Sequence, residues 1–156
     1  MSENDFRHGL IKGRIVENIF ELMFRETRKY DILPLGYEHV VPELAQYHKL
    51  AKVQQVLENI SHLPDFVLVS NDKKDVHLVE VKYRTHPSEA ENLKIAEKML
   101  SRYNSVFLFL ATPDKFYFET CELIKENGGK INELTCIDDE IQEKYLKLLR
   151  EFIKEV

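Results

Sequence analysis

The feature that most constrains this chain is a pair of short apolar runs divided by a polar turn. Phe66-Val-Leu-Val69 is followed by Ser70-Asn-Asp-Lys-Lys-Asp75, and Val76 to Tyr83 resumes the apolar pattern. β-Branched runs of strand length on either side of a turn predict a β-hairpin. The second run is interrupted by Glu80 and Lys82. Side chains alternate across a strand, so Leu78, Glu80 and Lys82 share one face, and His77, Val79, Val81 and Tyr83 the other. Charged side chains are seldom buried in a central strand unless they are paired or metal-bound. The bland alternative is an exposed strand pair. Pro64-Asp65 opens the first run and brings a further carboxylate beside Glu80 across the hairpin.

The segments around the hairpin alternate between helix and strand. Gly9 to Lys29 reads as one amphipathic helix, with Ile11, Ile15, Ile19, Leu22 and Met23 at helical spacing. Leu33-Pro34 and Gly36 break it. Tyr37 to Val41 predicts a short strand, and Leu44 to Ile60 an inserted helix. Ser88 with Glu91 three residues on marks a helix start, and that helix runs to about Arg102. Val106 to Ala111 and Lys115 to Thr120 predict two more strands. Phe107, Phe109, Phe116 and Phe118 alternate along them as core or interface residues. Asn127-Gly-Gly129 predicts a loop, and the chain after Ile137 a C-terminal helix. Its stripe of Ile141, Tyr145, Leu148, Leu149 and Phe152 packs internally or forms a homodimer. The simplest packing is one α/β domain, a mixed sheet flanked by helices.

Composition narrows the setting. With 156 residues, 44% of them hydrophobic, the chain can bury one core without staples. Cys121 and Cys136 have neither C-x-x-C spacing nor neighbouring histidines, which argues for reduced thiols and against structural zinc. At strand spacing from Leu134, Cys136 reads as an apolar filler. The six histidines form no H-E-x-x-H pattern. No signal core opens the chain and no run reaches membrane-spanning length, so the expectation is a cytoplasmic protein without a membrane partner. A net charge of −5 runs against a simple nucleic-acid binder. The acid excess is concentrated late, however: residues 1–84 carry 13 acidic and 12 basic side chains, residues 120–156 carry 9 and 6.

Two carboxylates at one end of a sheet repel each other unless one takes a proton or a cation lies between them. Mg²⁺ takes oxygen ligands, keeps several waters and needs only one or two protein carboxylates plus substrate phosphate. Asp65 and Glu80 are the candidate ligands, with the backbone carbonyl of Val81 as a further oxygen. Lys82 then stands where it can orient a water or stabilise charge developing on a phosphate. Lys12, Arg14 and Arg84 are candidate phosphate contacts, with a solvated surface or a salt bridge as the alternative.

Pro64-Asp65, fourteen intervening residues and Glu80-Val81-Lys82 resemble the signature of the PD-(D/E)xK nuclease superfamily. Gly13-Arg-Ile-Val-Glu17 is similar to the Gly-x-x-x-Glu in the first helix of its Holliday-junction-resolvase-like members. The resemblance covers roughly residues 9 to 112. It implies a restriction-endonuclease-like fold with an αβββαβ core, a helical insert and a C-terminal extension from about residue 120. It implies a Mg²⁺-dependent endonuclease, with Mn²⁺ substituting. Asp65 and Glu80 would be ligands, Lys82 the catalytic lysine and Glu17 an accessory acid at the metal. DNA, branched or structured, is the implied substrate, although the residues do not separate DNA from RNA. A homodimer would set two sites on two strands. The acidic balance, the insert and the chain beyond Gly129 depart from the pattern. They keep open a second reading, a nuclease fold that binds or assembles without cutting.

Overall fold

The computed structural model describes residues 2–35 and 63–154. The strand expected at Tyr37–Val41, the helix expected at Leu44–Ile60, and His39, His48 and His62 lie outside the described residues.

The first helix, α1 (Glu3–Glu26), starts well before Gly9. Its cap precedes the apolar periodicity. Ser2 Oγ accepts from the Asp5 amide and Asp5 Oδ2 accepts from the Ser2 amide, each at 3.1 Å, closing a capping box. Its buried residues, Val16, Ile19, Phe20, Met23 and Phe24, all lie in the C-terminal half. Ile11 and Leu22 share the sequence periodicity but are exposed, because the buried stripe is centred one step away on Phe20 and Phe24.

After α1 the chain turns through Arg28, at a left-handed φ of 57°, into β1 (Tyr30–Pro34). Leu33-Pro34 thus ends a strand as well as following a helix. Among the described residues β1 pairs with β2 alone and lies at the sheet's edge, where the missing proline N–H breaks no ladder. The hairpin follows as β2 (Phe66–Ser70) and β3 (Val76–Tyr83), then α2 (Glu89–Leu100), capped by Ser88. β4 (Val106–Ala111) and β5 (Phe116–Thr120) are the expected strands. Thr120 caps α3 (Cys121–Glu126), too short for periodicity to reveal. α4 (Asp139–Lys154) is the last element.

The five strands among the described residues form one mixed sheet in sequence order, β1-β2-β3-β4-β5. β3 and β4 are parallel, joined through α2, and every other neighbouring pair is antiparallel. β4 carries large apolar side chains on both faces, as a strand covered on both sides must. Phe109 and Ala111 pack with α1 and α4 in the larger core cluster. Val106 and Leu108 pack with Ala96, Met99, Cys121 and Ile124 of α2 and α3 in the smaller one.

Tyr145 and Leu149 of the α4 stripe are buried, Ile141 and Leu148 pack half-buried against the same cluster, and Phe152 is exposed. Phe109 and Phe116 are core residues, while Phe107 and Phe118 are half-buried and stacked at 4.6 Å. Cys136 is exposed and Cys121 is the buried thiol, so the strand phase that made Cys136 a filler does not hold past β5. Among the described residues, no helix is long and apolar enough to cross a membrane.

Candidate active site

The site forms where β2 begins and β3 ends, because the two strands are antiparallel. The ladder pairs Phe66 with Val79, which places Asp65, the preceding residue, beside the Glu80–Val81 stretch of β3. Asp65 is held from two sides. Its Oδ2 accepts from the Val81 amide at 2.8 Å, and its carbonyl accepts from the Leu35 amide at 2.8 Å. A backbone donor to a carboxylate is a strong, charge-assisted bond, and it fixes the rotamer.

Glu80 pairs in register with Leu108 of β4 and is 7% exposed, so the exposed-pair alternative is excluded. Its Oε1 lies 2.9 Å from Lys82 Nζ. Its Oε2 is buried without a hydrogen-bond partner among the described residues. Residues two apart on a strand lie on one face, which brings the Lys82 ammonium back over Glu80.

The electrostatics follow from that crowding. Burial first, then the neighbouring Glu80 charge, pushes the Asp65 carboxyl up to about 8, with Glu17 adding to the rise and the Val81 amide and Lys82 opposing it. Burial also raises Glu80, against the pull of Lys82 and of Lys98. Burial alone would lower Lys82, but the Glu80 carboxylate, aided by Asp65, holds its ammonium above the ordinary value. Lys82 is therefore a fixed cation at neutral pH, suited to orienting a water or meeting negative charge and unsuited to accepting a proton.

A cavity of about 290 Å³ opens at this corner. Asp65 and the stretch Val81 to Arg84 form its sheet side, and Gly9, Lys12, Gly13 and Glu17 of α1 its helix side. The structure thus brings Glu17, Lys12 and Arg84 to the same cavity as Asp65 and Lys82. Arg14 is exposed, does not wall the cavity, and reaches Glu17 Oε2 at 3.4 Å. Arg84 makes the salt bridge that the sequence left as an alternative, Nε to Glu91 Oε2 at 2.6 Å. Neither cavity-facing glycine of α1 is forced by crowding within the chain, since a Cβ at Gly9 or Gly13 would meet nothing within 4 Å.

Among the described residues, no three His, Cys, Asp or Glu side chains converge closely enough to hold a metal ion. A Mg²⁺ site of two carboxylates, a carbonyl and waters needs no third side chain. Glu80 lies behind the cavity rather than on its wall, and its orphaned Oε2 is an acceptor that such an ion would satisfy. Sequence reasoning missed Gly9, and missed Lys98, whose charge acts on Glu80. An i, i+4 pair of lysines, Lys94 and Lys98, was the available signal. In comparisons with known proteins, no family model and no curated protein matches this chain.

Proposed function

We propose that the protein is a divalent-metal-dependent endonuclease of the PD-(D/E)xK type, hydrolysing phosphodiester bonds in DNA, branched or structured DNA in particular. The observation that carries this reading is Glu80 Oε2, buried and without a partner among the described residues, on a side chain whose charge acts on Asp65. A buried carboxylate oxygen left unsatisfied is costly, and a cation removes the cost. The element order α1-β1-β2-β3-α2-β4 supports it as well, since it follows the αβββαβ core the resemblance implies.

Asp65, Glu80 and the Val81 carbonyl would hold Mg²⁺ or Mn²⁺, with Glu17 as the accessory acid on the opposite wall. When bound, the metal acidifies an attacking water and neutralises charge on the phosphate. Lys82 is anchored through Glu80, and its ammonium would meet negative charge on the reacting phosphate. Lys12 and Arg84 meet flanking phosphate oxygens at the cavity wall, and Arg14 tethers Glu17. A homodimer that sets two such sites on two strands completes the proposal.

The rival reading, a fold of this kind that binds without cutting, draws on the net charge of −5. Cleavage of labelled single-stranded, duplex, flapped and four-way-junction DNA, with Mg²⁺, Mn²⁺ or chelator, separates the two. Metal-dependent cutting is expected, reduced by about 100-fold or more in Asp65→Ala and in Lys82→Ala. No cutting of any substrate, with no rise in thermal stability on adding metal, would favour the rival.

A further inference from the structure

We infer that the cleft continues past the candidate active site onto α2, where Lys94 and Lys98 grip the phosphodiester backbone of one nucleic-acid strand beside the phosphate at Lys82. This rests on the nuclease reading of that site. A second cavity, of about 280 Å³, lies between Arg84 and the outer face of α2, and Arg84 walls both cavities. Its guanidinium is held there by Glu91 at 2.6 Å and by the Tyr83 carbonyl, which accepts from Nη1 at 2.7 Å. The two cavities therefore adjoin across one fixed cation.

The second cavity gathers Arg84, Lys94 and Lys98 against the single acid Glu91. Like charges four residues apart on a helix repel, so Lys94 and Lys98 oppose α2 slightly unless an anion lies between them. The charge of Lys98 also acts on Glu80, which ties this cavity to the buried carboxylate. Elsewhere the balance reverses. Glu119 and Glu133 wall the cavity beside Phe107 and Phe118, and Asp114, Asp139 and Glu143 outnumber Lys115 in the one beside α4. In a chain of net charge −5, positive charge has collected on both sides of Lys82.

A single small anion would engage one of these cavities. A polymer with a charge on every unit engages both, and a nucleic-acid strand has that form. In the second cavity Arg84 and Glu91 are engaged with each other, and the two lysines that remain are flexible point charges with no aromatic ring or amide side chain beside them. Its grip is on the backbone, which DNA and RNA share, and it is independent of sequence.

The test is equilibrium binding of short labelled DNA and RNA, single-stranded and duplex, by the full chain over a salt series, with Ca²⁺ in place of Mg²⁺. Wild type is compared with the double variant Lys94→Gln, Lys98→Gln, and with Lys147→Gln, Lys154→Gln on α4 as a control. The α2 variant is expected to bind about tenfold more weakly, with the slope of log affinity against log salt smaller by roughly one to two. The loss is the same for unrelated sequences, the control matches wild type, and the DNA and RNA arms identify the natural strand. An unchanged slope in the α2 variant, or no binding of any strand by wild type, overturns the inference. Thermal stabilisation of wild type by Mg²⁺, measured alongside, distinguishes the failures. Stabilisation without strand binding removes only the extended cleft, and absence of both removes the nuclease reading too.

Discussion

Asp65 and Glu80 are two carboxyl groups in a space that solvates neither well. One Asp65 oxygen is satisfied by the Val81 amide, and one Glu80 oxygen by Lys82. The remainder is a local excess of negative charge, which a proton or a cation relieves. Because the Asp65 carboxyl is raised in the folded state, the folded protein holds that proton more tightly than the unfolded chain. Its contribution to stability is complete below about pH 4 and is lost as pH rises through about 8. The metal-free protein is therefore expected to unfold at lower temperature as pH rises across that window, and Asp65→Asn to flatten the slope. Added Mg²⁺ should restore stability at the upper end in wild type and not in the variant. A thermal-melt series at several pH values, with and without metal, checks this. A wild-type slope no steeper than that of Asp65→Asn would refute it. Asp65, Glu80 and Lys82 were legible in the sequence because strand alternation and a hairpin suffice to bring them together. Gly9, Lys94 and Lys98 were not, because the packing of α1 and α2 on opposite faces of the sheet places them near the site.

At the scale of elements, legibility followed the length and periodicity of each segment. The hairpin and β4 stand where the apolar runs put them. β1 was hidden by Pro34, which is tolerated because, among the described residues, that strand pairs with β2 alone. The start of α1 was hidden because a capping box needs no apolar residue. The position of α2 depends on two ties near its N-terminus. Arg84 holds Glu91, and Asn92 Nδ2 donates to the Gly129 carbonyl at 3.1 Å. Gly129 itself has φ of 102°, and a Cβ there would lie 1.9 Å from the Glu89 carbonyl oxygen. Gly128 also has positive φ, at 68°, but open space around it. Gly129→Ala should therefore lower stability by at least about 2 kcal/mol, clearly more than Gly128→Ala at about 1 kcal/mol. Urea unfolding midpoints of the two variants test the difference. Equal losses would mean that the loop does not seal against α2.

Over the whole molecule, net charge sums cavities that differ in sign. Acids predominate in the cavity beside Phe107 and Phe118 and in the one at the start of α4, and cations in the one that Arg84, Lys94 and Lys98 wall. The larger core also joins distant parts of the chain. Tyr145, Leu146 and Leu149 of α4 complete a cluster that begins with Val16 of α1. Glu26 accepts from Lys144 Nζ at 2.7 Å and from the Tyr145 hydroxyl at 2.6 Å, across a sequence separation of 119 residues in the second case. A chain stopped after Asp138 should lose cooperative unfolding and bind a dye specific for exposed apolar surface. Native-like melting of that shortened chain would show that α4 is an accessory to the core.

The α1–α4 contact also sets a schedule for synthesis. α1 emerges from the ribosome well before the α4 residues that close its side of the core. At roughly 5–20 residues per second, the interval between Glu26 and Tyr145 lasts about 6–24 s. For that time Phe20 and Phe24 belong to a nascent chain with an unfinished core, a ready target for chaperones that hold apolar helices. The pace of translation between α1 and α4 thereby becomes a determinant of yield.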